Sequence, residues 1–137
     1  MASEQRLYLD DLHVGRRFTS STHALDERQI TTFASGWHTA ATTMRLQVDG
    51  GLPIAGGIVG LGGELAWPTA ARPGDVLHVE SEVVATVPSR SRPDRGTVTV
   101  RSETRNQRGE IVQTATIKLL VPRRAKMAGA MQKTEGR

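Results

Sequence analysis

The chain has 137 residues, room for one domain with a moderate core, and only 4% of them are aromatic, so that core must be built from Val, Ile, Leu and Ala. It has no cysteine, which excludes disulfides, thiolate metal sites and a cysteine nucleophile, and fits a reducing cytosol; no metal site is expected. The formal net charge of +4 reads as solubility plus a basic tail holding Arg123, Arg124, Lys126, Lys133 and Arg137. A phosphorylated small molecule fits that charge better than nucleic acid, because no base-stacking aromatics accompany the arginines. No apolar run is long enough to cross a bilayer, and MASEQRLYLDD lacks the apolar core of a signal peptide, so a cytoplasmic protein without membrane contact is expected.

In chain order, Leu7–Leu12 with Gly15 forms a lead-in, and the loose alternation of Arg17–Leu25 predicts a first strand. Asp26 then offers an N-cap with Glu27 behind it, and Ile30, Phe33 and Ala34 give DERQITTFA a short amphipathic face. This helix runs directly into a second one, although helix–helix connections normally take about two residues or more. The second helix, Ser35–Val48, contains no Pro or Gly after Gly36 and ends at Asp49-Gly50-Gly51. Trp37, Ala40, Ala41, Met44 and Val48 form its apolar face; Thr39, Thr42, Thr43 and Leu46 lie opposite, with Arg45 the only charge. Such a helix is expected to be buried.

Ile54–Trp67 is Gly-rich and apolar and reads as a packed strand approached closely by another backbone or a ligand. Arg72-Pro73-Gly74-Asp75 is a turn. Val76–Val87 is a long strand with Leu77, Val79, Val83, Ala85 and Val87 on one face. Pro88–Gly96 is a loop, Thr97–Arg105 a strand with Val98 and Val100 inward, Asn106–Gly109 a hairpin turn, and Ile111–Val121 the last strand. Ala125–Arg137 has no periodicity and reads as a mobile basic tail, leaving residues 1–124 as a single domain. The implied architecture is α+β, one antiparallel sheet curled around one central helix. Its open edge and uncovered face make a homodimer the expected assembly.

The lead-in Asp11–Gly15, the helix SGWHTAATTMRL, the turn RPGD at Arg72–Asp75, the loop SRSRPDRG at Ser89–Gly96 and RNQRGE at Arg105–Glu110 together resemble the MaoC-like acyl dehydratases, relatives of (R)-specific enoyl-CoA hydratase with the hotdog fold. The resemblance runs from about Leu7 to Arg124. It implies addition of water to a trans-2-enoyl thioester of fatty acid metabolism, or the reverse, with no cofactor beyond the coenzyme A of the substrate. It also implies an Asp and a His five residues apart, between the short helix and the central one, that polarise the water. Here Phe33-Ala34 joins directly to Ser35-Gly36-Trp37, and none of His13, His23, His38 and His78 has an Asp at that spacing. The chain therefore reads as a family member lacking its catalytic segment.

The resemblance leaves a set of binding candidates. The Gly36 amide, at the head of the central helix beside Trp37, matches the family position that holds the thioester carbonyl; the alternative is a Gly that lets the helix start close to the sheet. His38 is the one substitute base, against a structural role. Arg90 and Arg92 suit the phosphates of coenzyme A, against a solvated loop or a subunit contact. Gly56 and Gly57 leave room for an acyl channel, against close helix-on-sheet packing. The alternatives to an acyl-CoA or enoyl-CoA hydratase are a non-catalytic module that binds an acyl thioester or a partner, and a thioesterase, for which Asp26 and Glu27 are the nearest carboxylates.

Overall fold

Val and Leu alternating with Glu, Arg and Thr make three long strands: β3 (Val76–Pro88), β4 (Arg95–Arg105) and β5 (Ile111–Pro122). They form a meander flanked by β1 (Arg17–Ala24) on β3 and by β2 (Val59–Ala66) on β5. The sheet order is β1-β3-β4-β5-β2, antiparallel throughout. Among the described residues one α-helix, α1 (Ser35–Leu46), lies on its concave face and unwinds through a wider turn at Gln47–Gly51. This computed structural model describes residues 6–26 and 35–124. The expected helix over DERQITTFA, the Ala34–Ser35 junction and the tail 125–137 lie outside the described residues.

Burial divides the concave face into two zones. Under the lead-in, Leu7, Leu9 and Leu12 meet Leu52, Ile54, Val83, Val98, Val100, Leu119 and Val121 in an apolar core. Leu7 is tied there by its N–H to the Pro53 carbonyl, 2.8 Å, and by its own carbonyl accepting from Ala55, 2.7 Å. Under α1 the interface is polar. The two hydroxyls of Thr43 and Thr104 are 2.6 Å apart, Gln47 Nε2 donates to Ser102 Oγ at 3.0 Å, and Ser81 and Ser102 share a 2.8 Å bond.

The expected burial of α1 is met on one face only. His38, Thr39, Thr42, Thr43, Leu46 and Gln47 are buried, whereas Trp37, Met44 and Val48 are 60%, 46% and 53% exposed. The reason lies in the strands: Ser81, Ser102, Thr104 and Gln113 occupy inward positions and are buried, so hydroxyls and amides pair with the helix threonines. Helix periodicity alone cannot see this partner surface.

Two further expectations are corrected. The Gly-rich stretch is not one packed strand: Ile54 is buried and bridges Leu7, Gly56 and Gly57 turn the chain at φ +78° and +85°, and β2 begins only at Val59. All of β2 is exposed, because it is the sheet's edge. Val87 leaves the inward set because the pairing slips between Val83 and Ala85, a bulge that turns it outward to 58% exposure. The hairpin turn is as expected, with Gly109 at φ +82° donating to the Asn106 carbonyl at 3.0 Å.

Candidate functional site

Two of the motifs carrying the resemblance serve each other. Asp75 is buried; its carboxylate accepts from the Arg72 N–H (2.9 Å), Gln107 Nε2 (3.2 Å) and Arg108 Nη2 (3.5 Å). Gln107 Oε1 returns to the Val76 N–H at 2.8 Å, and Asn106 Oδ1 accepts from the amides of Arg108 and Glu110, both at 3.0 Å. The Asn106 amide, aided by Arg108, holds the Glu110 carboxyl below the usual carboxylate range. This brace clips the end of β1: the Leu25 N–H donates to the Asp75 carbonyl at 2.7 Å, and its carbonyl accepts from Gly74 at 2.8 Å. It therefore fixes where the chain leaves β1 on its way to α1, and it touches no candidate binding group.

The head of α1 sits beside the end of β2. A Cβ built on Gly36 would lie 2.9 Å from Trp67 Cδ2, so the indole rests on the bare backbone. Trp67 Nε1 donates to the buried Gln113 Oε1 at 2.8 Å, and Trp37 meets the Trp67 ring edge-on, with centroids 5.4 Å apart at 69°. The close neighbour of Gly36 is thus an indole rather than the sheet. His38 is buried among the sheet-facing residues of α1, away from the exposed Trp37 and Met44. Sequence reasoning passed over Trp67 and Gln113. The signal was available for Trp67, since it is one of only two tryptophans in a chain poor in aromatics.

The remaining candidates lie at the other end of the sheet. Arg90 and Arg92 are exposed on the β3–β4 loop, which is closed by Ser89 N–H to the Arg95 carbonyl (3.0 Å) and by the Arg92 N–H to Ser89 Oγ (3.0 Å). Gly56 lines a depression of about 230 Å³ together with Asp94 of that loop and Arg95 at the start of β4. Gly57 follows it in the same turn, with no atom within 4 Å of a built Cβ. Neither glycine faces α1. The loop end is marked by Gly96 and the helix end by Thr104, both on β4; at about 3.4 Å per residue they are roughly 27 Å apart. Within one chain, Gly36, Trp37 and His38 form one group, and Gly56, Gly57, Arg90 and Arg92 form another.

The convex face carries charge instead. Arg105 lies between Glu103 (2.6 Å) and Glu80 (3.6 Å), and His78 Nε2 sits 2.8 Å from Glu80. That hydrogen bond holds the Glu80 carboxyl below its ordinary value. Among the described residues no cluster of three or more His, Cys, Asp or Glu side chains is placed to hold a metal, and no helix is long and apolar enough to cross a membrane.

A sheet wrapped round one helix in this strand order is the hotdog fold, and comparison with solved structures places the chain within it. A MaoC-like dehydratase from Rhodospirillum rubrum superposes with a TM-score of 0.84 at 49% identity, over 86% of this chain and 98% of that one. The chain belongs to the MaoC-like dehydratase family. An (R)-hydratase from Pseudomonas aeruginosa matches at TM-score 0.66 and 21% identity, over 87% of this chain and 88% of that one. A Streptococcus mutans protein with acetyl-CoA bound matches at 0.55 and 18%, over 82% and 87%. These last two share the fold. No protein-family model and no curated protein matches the chain.

Proposed function

We propose that two copies of this chain bind an acyl-CoA or enoyl-CoA thioester between them, and that the chain as it stands hydrates the enoyl thioester at no meaningful rate. The observation that carries the reading is the course of β2. It starts beside the Gly56-Gly57 turn and ends at Trp67 on Gly36, and among the described residues no strand pairs with its outer edge. Antiparallel pairing of two β2 edges across a twofold axis brings one chain's Gly36, Trp37 and His38 beside Gly56, Arg90 and Arg92 of the partner subunit. The Gly36 amide then holds the thioester carbonyl, with the arginines on the coenzyme A phosphates across the interface. Family membership and the acetyl-CoA held by the S. mutans fold relative support the substrate class. The absence of cysteine supports the cytosol as its place of work.

The inactivity follows from the sequence. No Asp stands five residues before any of the four histidines. General acid–base catalysis contributes about 10²–10⁴-fold, and that is the part withheld. The test is loss of enoyl absorbance from crotonyl-CoA, beside calorimetry with the same ester. Binding without turnover is the expected result. Turnover abolished in His38→Ala overturns the inactivity and makes His38 the base; absence of binding overturns the whole reading.

A further inference from the structure

We propose that Trp67 is a specificity-determining residue of this site, and that it selects thioesters with an aliphatic acyl group over those whose acyl group carries a carboxylate. The inference rests on the reading that a thioester carbonyl is held at Gly36. Trp67 is fixed on three sides. Its only polar atom is spent on Gln113, itself 2% exposed; its six-membered ring lies on the Gly36 backbone; and its edge meets Trp37. An indole satisfied in this way presents only carbon to a ligand.

The ring sits where the acyl group must begin. It covers the backbone of the residue whose amide would hold the carbonyl, so the first acyl carbons contact the indole. Trp37 and Met44, 60% and 46% exposed, extend the same apolar surface along α1. The one Lys, Arg, Asp or Glu on α1 is Arg45, near its far end and paired with Asp49 at 3.1 Å. An acyl carboxylate at this corner loses water, the described residues of α1 offer it no cation but Arg45, and the partner's Arg90 and Arg92 are engaged by the coenzyme A phosphates, which costs it affinity. An aliphatic group gains, each methylene removed from water being worth a factor of about four.

The chain's two tryptophans are both at this corner, so its tryptophan emission reports on no other place. The experiment titrates the full chain with free coenzyme A, butyryl-CoA and succinyl-CoA, read by calorimetry and by tryptophan emission. The expected result is butyryl-CoA binding about tenfold tighter than free coenzyme A or succinyl-CoA, as a few methylenes predict, with an emission change from butyryl-CoA alone. Trp67→Ala should abolish that preference and leave the affinity for free coenzyme A unchanged; Trp67→Phe should keep part of it. Circular dichroism establishes that the variants are folded, and the wild-type comparison stands if Trp67→Ala is not. Equal weakening of all three ligands in Trp67→Ala makes Trp67 merely structural and overturns the proposal, as does wild-type protein that binds all three alike. If none of the three binds, the thioester reading itself fails and the proposal with it.

Discussion

Adding a methyl group at Gly36 sets two effects against each other. Alanine favours a helix over glycine by up to about 1 kcal/mol in helix interiors, and less at a first turn. Against that, the new Cβ meets the Trp67 ring at 2.9 Å, and overpacking typically costs about 1–3 kcal/mol. The second effect should win, because Gln113 holds the indole and Trp37 blocks its edge. Gly36→Ala is therefore expected to lose about 1 kcal/mol in denaturant unfolding, with a shift in tryptophan emission as the ring is displaced. A more stable variant with unchanged emission would show that the close approach is absent. The sequence supports either role for Gly36, because its neighbour arrives from a residue thirty-one positions away. What the sequence does carry is the scarcity of tryptophan, which marks Trp67 as a residue to explain.

The same limit applies to α1 as an element. Its boundaries are legible from Gly36, the Pro-free run and the glycines at 50 and 51, and the strands are legible from their alternation. Which face of α1 is buried is not, because that depends on Ser81, Ser102, Thr104 and Gln113 reaching inward from three different strands. Periodicity reads one element at a time, whereas a polar seam is a property of two. The seam makes a testable demand. Thr43→Val alone strands the Thr104 hydroxyl, with an expected cost of about 1–3 kcal/mol, and Thr104→Val alone costs a similar amount. The double substitution leaves no orphaned group and should cost far less than the two combined. A double-mutant cycle by urea unfolding reads the coupling directly; additive losses would mean that the pair, 2.6 Å apart, does not hold the helix.

For the whole molecule, the question is which of two sheet edges a second copy covers. β1 is a poor candidate. Its sequence RFTSSTHA is largely polar, it slips register between Thr19 and Thr22, and Arg17 is committed to Glu82 at 2.8 Å. Charges and irregularities of this kind keep an edge from pairing. β2 also slips, between Gly60 and Gly62, but its pairing with β5 is regular from there to Ala66. It exposes Val59, Leu61 and Leu65, and Trp67 follows it. An edge this apolar, with Glu64 its one charge, is suited to pairing, and two copies running antiparallel would also unite the two halves of the proposed site. Leu65→Glu puts a carboxylate on the pairing edge of each copy, at a position already 37% exposed. It should convert a dimer to a monomer by light scattering at micromolar concentration, with unfolding of the monomer little changed. Calorimetry on the same variant should show butyryl-CoA affinity falling with the dimer, because the partner's Arg90 and Arg92 leave with it. A wild-type monomer at that concentration, or undiminished ester binding by monomeric Leu65→Glu, would mean that each chain carries its whole site alone. The separation of roughly 27 Å between Gly96 and Thr104 on one face of the sheet argues against that outcome.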